Sequence, residues 1–492
     1  METVGVVGLG IMGAGIVEVF ARAGLRVVGV DVDEAAVGRG RGHLELSTGR
    51  AVDRGRLAAE ERAAILDRIT LTPDRGALAD VDLVVEAVPE VMELKRALFA
   101  DLDRICKPSA VLATNTSSLS VTTIAAGTSR PSQVVGMHFF NPAPVMKLVE
   151  VVTTVLTADG LAARIADLAV RLGKTPITVG DRAGFVANRL LLGYLNHACR
   201  LLGEGVSGRD DIDVAMREGA GLPMGPFQLL DLIGLDTAYE ICEVLFHETK
   251  DRRHAPSPLL RELVAAGRRG RKTGEGFYAR TETPTLLDEG PKVAVTSVGI
   301  VGPHPEHLLE RLDAAGFKAT AGDIPDDADV VLAICPPPVV EAAVRLPHPD
   351  RVVGLHLAGD RVGEVASTVL TAPEVAAAAR DLVRVVGRVP VACADRAGFV
   401  VDALLLPYLN DAVRMVESGY ASFADVDTAM KLGCGYPQGP FKMLERLGLE
   451  TVRDGLRALY AEYREPSFAP APLLERLVAA GVRSTGDLTP NR

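Results

Sequence analysis

TVGVVGLGIMGAGIVEVFARAGLRVVGVD, residues 3–31, decides the fold. An apolar, β-branched run (4–8) reads as a strand, the pattern IMGAGIVEVFARAG reads as a helix, and a second β-branched run (25–31) ends on Asp31. Gly8, Gly10 and Gly13 stand at the first strand–helix junction in GxGxxG spacing. Such a spacing alone is a weak signal; between a strand and a helix it is the dinucleotide-binding fingerprint. Gly8 permits the tight turn, Gly10 lets backbone approach a pyrophosphate, and Gly13 lets the helix pack closely. Ile11 and Met12 fill the loop where the helix N-terminus offers amide donors to phosphate. Asp31, 18 residues after Gly13, suits the ribose hydroxyls of NAD and repels the extra phosphate of NADP. Asp33 stands two residues on and can share that role. The plainer alternative is a glycine turn beside a solvated aspartate.

Outward from this unit, further β-branched runs at 81–87, 109–115 and 133–139 alternate with helical stretches, among them LAAEERAAILDRI (57–69). The alternation predicts an α/β domain of Rossmann type: a parallel sheet with helices on both faces. From residue 181 the pattern turns helical, and TETPTLLDEGP (281–291) reads as a linker. A chain of 492 residues implies three or four domains. A net charge of −11 argues against general nucleic-acid or anionic-membrane binding, and no apolar stretch approaches a bilayer span. Six scattered cysteines without CxxC read as reduced thiols, no metal site is expected, and the chain opens directly on a strand, so a cytoplasmic location is the default.

The chain then repeats itself. DRAGFVANRLLLGYLNHACRLL (181–202) and DRAGFVVDALLLPYLNDAVRMV (395–416) share 14 of 22 positions at an offset of 214. MGPF (224–227) and QGPF (438–441), and PLLRELVAAG (258–267) and PLLERLVAAG (472–481), keep that offset. A helical domain is therefore duplicated. The predicted layout is an NAD-binding Rossmann domain (1–183), an all-α substrate and dimerisation domain (184–283), a degenerate Rossmann-like domain (292–394) and a second helical domain (395–492).

The string MHFFNPAPVMKLVEVV (137–152) places His138 between apolar residues and Glu150 in the next apolar run. Oxidising a secondary alcohol needs a base of near-neutral pKa, for which histidine is suited, and an imidazolium in a dry site needs a carboxylate. Taken with GLGIMGAGI, DLVVEAVPE, LATNTSSLS, GFVANRLL, GLPMGPF and GRKTGEGFY, this string resembles the 3-hydroxyacyl-CoA dehydrogenase family over residues 1–280. The tandem layout, without an enoyl-CoA hydratase half, looks like bacterial 3-hydroxybutyryl-CoA or 3-hydroxyadipyl-CoA dehydrogenases.

The resemblance implies NAD-dependent, reversible oxidation of a (S)-3-hydroxyacyl-CoA, with His138 as general base and Glu150 as its acidic partner. It implies that Ser117 hydrogen-bonds the reacting oxygen, although Ser118 is adjacent and TNTSS is also a helix-capping sequence. It gives Asn188 the substrate thioester or oxyanion to orient. Glu90 and Lys95 would lie near the nicotinamide ribose, Asn115 would also bind the cofactor, Asn141 would hold the carboxamide, and Lys272 would reach the nucleotide. For CoA, the family pattern of serine and lysine fails here; Ser47 with Arg54 or Arg56 takes its place, against the alternative of a solvated basic turn.

The second copy looks inert. VTSVGIVGPH gives no clean glycine fingerprint, NTSSLS has no counterpart, Asn188 becomes Asp402, and Lys272 becomes Gly486. His356 is followed by Glu364 after only 8 residues instead of 12, which predicts a lost pair. One active site per chain is expected, with the second helical domain packed on the first as an intrachain pseudo-dimer and homo-oligomers possible beyond it. The expected partner is an acyl-CoA, most simply 3-hydroxybutyryl-CoA. The alternatives are 3-hydroxyadipyl-CoA, a free hydroxy acid (disfavoured by HFFNP), or a non-catalytic NAD-binding protein on the same scaffold.

Overall fold

The computed structural model describes residues 1–286 and 294–485; Gly486 and the linker residues 287–291 lie outside them. The described residues divide into two compact units, those of 1–189 with 418–439, and those of 190–417 with 440–485. A stretch of the second repeat thus belongs to the first unit.

The first unit is built on eight strands: β1 (Thr3–Val7), β2 (Arg26–Val30), β3 (Ile69–Thr72), β4 (Leu83–Glu86), β5 (Val111–Thr114), β6 (Val134–Phe139), β7 (Leu148–Thr153) and β8 (Thr175–Gly180). Their order, β3-β2-β1-β4-β5-β6-β7-β8, begins with the doubly wound order of dinucleotide-binding sheets. Strands β1 to β6 are parallel, as the alternation predicts, whereas β7 returns antiparallel to β6. Val4 and Val6 on β1 are fully buried, as a central strand covered on both faces requires.

The arginine-bearing stretch after β2 folds as one helix, Glu34–Asp53, despite four glycines. Asp33 caps it, its Oδ1 accepting the Ala36 amide at 2.7 Å. Gly40 is there because a Cβ would stand 2.5 Å from that of Leu9.

The second unit carries β9 (Ser297–Val301), β10 (Lys318–Ala321), β11 (Val330–Ala333), β12 (Val352–Ala358), β13 (Val362–Ser367) and β14 (Val389–Ala394) in the order β10-β9-β11-β12-β13-β14. This is the first sheet without the counterparts of β3 and β5. With β5 gone, β11 pairs directly with β12.

The same unit joins the two helical repeats. Tyr194 and Tyr408, equivalent at the offset of 214, meet edge to face at 6.1 Å. His197 Nε2 lies 3.1 Å from the Ala403 carbonyl, and Arg253 pairs with Asp411. Burial pushes the His197 imidazole down to about 4, so it is neutral there. The shared YLN string has a structural reason: Asn196 and Asn410 each bridge two carbonyls and one amide at matching positions, Arg253, Ala255 and Ser257, and Ser467, Ala469 and Ala471. Among the described residues no helix is long and apolar enough to cross a membrane.

Candidate active site

The glycine loop follows β1. Gly8 adopts φ +90°, where a Cβ would meet the Ala87 carbonyl at 2.7 Å, and a Cβ on Gly13 would overlap the Gly8 carbonyl at 1.7 Å. Around Gly10 a Cβ would meet nothing within 4 Å, so the loop is open on the side where a pyrophosphate approaches. Ile11 is exposed and Met12 half-buried. Asp31 accepts the Leu9 amide at 2.7 Å through one oxygen and the Val32 amide at 2.7 Å through the other. It is fixed against the loop, while Asp33 is engaged in its helix cap. This geometry fits a dinucleotide.

The ends of β4 and β5 meet at Glu90. Its Oε1 accepts from Thr116 Oγ1 at 2.6 Å, from the Ser117 and Ser118 amides at 2.8 and 3.1 Å, and from both serine hydroxyls at 3.3 Å. Burial opposes ionisation here, but the Lys95 charge and these donors hold Glu90 below the usual carboxylate range. Lys95 is itself buried, 2.6 Å from Glu86 and 3.3 Å from Glu90, so its charge is held by these two carboxylates. Ser117 is half-exposed and Ser118 is 3 % exposed. Asn115 Oδ1 accepts the Phe139 amide at 2.8 Å and ties the end of β5 to the end of β6.

His138 and Glu150 are directly opposed across the antiparallel β6–β7 pair. Nδ1 lies 2.7 Å from Glu150 Oε2, with His138 6 % and Glu150 0 % exposed. The other carboxylate oxygen accepts the Val186 and Ala187 amides, each at 3.1 Å. Those amides are presented by Gly184 at φ +71° and Phe185 at φ +44°. A phenylalanine in the left-handed region is strained. Here it aims two donors at the carboxylate and sets its ring 5.7 Å from His138. Phe140 closes in at 4.5 Å. Asn188 is the second residue of helix Ala187–Gly203, one position past those amides.

Between β6 and β7 the loop bearing Asn141 is held by Lys174, whose Nζ donates to the Ala143 and Met146 carbonyls at 2.6 and 2.7 Å. Burial pushes that ammonium down to about 8. The same loop, with Ile11, Ser47, Arg50, Arg54 and Arg56, lines a cavity of about 560 Å³. Lys272 belongs to the second unit, where it pairs with Asp236 at 2.5 Å.

Sequence reasoning missed Glu86, Thr116, Phe140, Phe185 and Lys174. Glu86 carried a signal: a glutamate within the buried run VDLVVEA needs a partner. It has Lys95, the Thr114 hydroxyl at 2.7 Å and the Val88 amide at 2.7 Å.

A family model described as 3-hydroxyacyl-CoA dehydrogenase, NAD binding domain, matches residues 3–182, and its companion, the C-terminal domain, matches twice, at 184–280 and 398–487. The chain belongs to the 3-hydroxyacyl-CoA dehydrogenase family. It is therefore an NAD-dependent oxidoreductase of acyl-CoA substrates. It is 35% identical to the 3-hydroxyadipyl-CoA dehydrogenase of Escherichia coli over 98% of this chain and 99% of that one. It is 45% identical to the 3-hydroxybutyryl-CoA dehydrogenase of Mycobacterium tuberculosis over 56% of this chain and 98% of that one. Among solved structures, an E. coli protein titled 3-hydroxybutyryl-CoA dehydrogenase superimposes with a TM-score of 0.85 at 34% identity, covering 98% of this chain and 99% of that one.

The second copy departs from its sequence reading at one point. His356 and Glu364 do pair, at 2.5 Å, because the β12–β13 hairpin loses four loop residues while keeping the cross-strand register. Glu364 accepts the Val400 and Val401 amides at 3.0 and 2.9 Å, and Phe399, at φ +49°, stacks on His356. The shared DRAGFV string therefore serves to hold a dyad in both copies. Asp402, in the place of Asn188, lies 3.6 Å from His356 Nε2.

Proposed function

We propose that this chain oxidises (S)-3-hydroxyacyl-CoA to 3-oxoacyl-CoA reversibly at one active site within residues 1–280, with His138 as general base and 3-hydroxybutyryl-CoA as substrate. The observation that carries the reading is the buried contact of 2.7 Å between His138 Nδ1 and Glu150. Glu150 accepts Nδ1–H and so leaves Nε2 as the free base, the tautomer the reaction needs. Nε2 takes the alcohol proton, and the imidazolium that forms is stabilised by the carboxylate behind it. Bound NAD supplies the hydride acceptor. Ser117 Oγ donates to the reacting oxygen, and the Asn188 amide orients the thioester. In the second copy the residue equivalent to Asn188 stands beside Nε2, which supports that placement. Glu90, positioned by Lys95, together with Asn115, Asn141 and Lys272, serves the nucleotide. The phosphates of CoA fall to Arg54 and Arg56 with Ser47, a reading supported by their sharing one cavity; Arg is suited to phosphate by its forked donors.

A second reading, 3-hydroxyadipyl-CoA as substrate, is favoured by the E. coli relative of matching length that bears that name. NADH formation with each substrate, alongside His138→Gln, tests both. A variant that keeps wild-type turnover would refute His138 as the base, and the higher kcat/KM names the substrate.

We also keep the division into 1–183, 184–283, 292–394 and 395–492, and read the paired helical repeats as a pseudo-dimer in place of a homodimer. A chain ended near residue 285 is then poorly soluble or dimeric; a stable, fully active monomer would refute this. Six free cysteines accord with a cytoplasmic setting.

A further inference from the structure

The first unit contains residues 418–439, a piece of the otherwise degenerate second copy. Its helix, Phe423–Cys434, packs on β7, the strand that carries Glu150 opposite His138, and on β8 beyond it. The entry to this helix is pinned: the Gly180 amide donates to the Tyr420 carbonyl at 3.3 Å, and Tyr420 Oη donates to the Phe185 carbonyl at 3.5 Å. At its far end Gly433 lies against the loop side of the dyad. A Cβ there would stand 2.8 Å from Leu148 Cδ2 and 3.2 Å from the Phe140 ring. Phe140 is the ring that lies 4.5 Å from His138. The next residue, Cys434, is near enough to Glu150 that the carboxylate charge, after burial, pushes its thiol up to about 12.

We propose that the second copy is kept because this helix forms a wall of the first copy's active site, with Gly433 positioning Phe140 and through it the His138 ring. The physical requirement is close packing. Interiors of this density transmit small displacements, and any side chain at 433 has to displace the Leu148 tip and the Phe140 ring. The inference rests on the reading of His138 as the base. Gly433 is a positioning residue that touches no substrate. The repeat supplies an internal control. Gly219, its equivalent at the offset of 214, packs in the same manner on the second copy, where a Cβ would stand 3.0 Å from Val401 and 3.4 Å from Ala358 and Val362.

The test uses the full chain carrying Gly433→Val, Gly433→Ala, Gly219→Ala or His138→Gln. Gly433→Val is expected to lower kcat with 3-hydroxybutyryl-CoA by roughly tenfold or more, since misplacing a reacting group by about 1 Å is that costly. The pH profile of kcat/KM should move, with KM for NAD unchanged. Gly219→Ala should leave turnover and profile as in the wild type. If Gly433→Val does not accumulate as folded protein, Gly433→Ala decides: it should show a smaller loss of the same sign, relieved when Leu148→Val makes room. Folded Gly433 variants with wild-type kcat and pH profile, or an equal loss from Gly219→Ala, overturn the proposal. His138→Gln separates the two ideas: if it stays active, the base assignment fails. If it is inactive while Gly433→Val is normal, only the wall fails.

Discussion

Glu150→Gln is the most discriminating perturbation of the dyad. Glu150 is fully buried and spends one oxygen on His138 and the other on two backbone amides. Glutamine has nearly the same shape but one acceptor oxygen. The two amides at 3.1 Å can be satisfied only by that oxygen, which turns the NH₂ towards Nδ1. Nδ1 must then accept, the ring proton moves to Nε2, and the base faces the substrate already protonated. The loss combines the wrong tautomer with a missing counter-charge. An inverted tautomer behind a catalytic histidine costs about 10⁴ in kcat where it has been measured, and one charged hydrogen bond contributes about 1.5–3 kcal/mol. We expect kcat to fall by roughly 10³–10⁴, or about 4–5.5 kcal/mol of barrier, with KM for NAD little changed. Initial rates of NADH formation at saturating NAD and acyl-CoA measure it. Glu364→Gln, the same change in the second copy, should leave turnover at the wild-type value. A Glu150→Gln enzyme within a few-fold of wild type would refute the tautomer argument, and equal losses from both variants would refute the assignment of a single active site.

Three further outcomes follow from the geometry. Burial works against the His356 imidazolium, but the hydrogen bond and charge of Glu364 and the charge of Asp402 outweigh it and raise His356 from 6.5 to about 9. A raised folded-state value means stabilisation that is complete below about pH 6.5 and lost as pH climbs through about 9, on the order of 3 kcal/mol. Denaturant midpoints should fall across that window and flatten in His356→Gln; an unchanged slope would contradict the buried ion pair. Asp31→Ser should relax the preference for NAD over NADP by roughly 10²–10³, since like charges about 4 Å apart cost about 4 kcal/mol at an effective dielectric of 20. The ratio of kcat/KM for the two cofactors reports it, and an unaltered ratio would place the ribose elsewhere. Arg54→Ala with Arg56→Ala should raise KM for acyl-CoA about tenfold, from the loss of charged contacts to phosphate, and should flatten its dependence on ionic strength. Unchanged KM would return both residues to the role of solvated charges.

The parts of the fold legible in the sequence are those written in local pattern. The glycine loop, the alternating strands and the offset of 214 all reduce to periodicity or identity. The helix Glu34–Asp53 was not legible, because its four glycines argue against a helix locally, while one of them, Gly40, answers to a neighbour, Leu9. At the site, His138 and Glu150 are suggestive as residue types, but their approach is a register between strands, and register is a long-range property. For the same reason the eight-residue interval from His356 to Glu364 misled: a cross-strand pair survives any loop change that preserves the register. The Glu90 cluster was hidden because four residues from two crossings of the sheet meet only when β4 and β5 lie side by side.

The second copy separates what holds a dyad from what makes it a catalyst. It keeps the carboxylate, the imidazole, the two amides and the strained phenylalanine. It has lost β5, and with it any counterpart of Ser117 and of the donors around Glu90. It has also replaced the neutral amide of Asn188 by Asp402. That last exchange adds to what Glu364 already does: its hydrogen bond and charge raise the His356 imidazole, and the charge of Asp402 raises it further. A second carboxylate 3.6 Å from Nε2 converts a ring with one partner into an imidazolium held between two. An imidazolium that keeps its proton to about pH 9 cannot take one from an alcohol at neutral pH. In the first copy the residue equivalent to Asp402 by the offset of 214 is the uncharged Asn188, which on the proposed mechanism leaves Nε2 available to the substrate proton. On this argument a histidine and a glutamate 2.7 Å apart are a structural pair by default. If His138 is the base proposed above, a neutral neighbour at Asn188 is what distinguishes that pair from its copy.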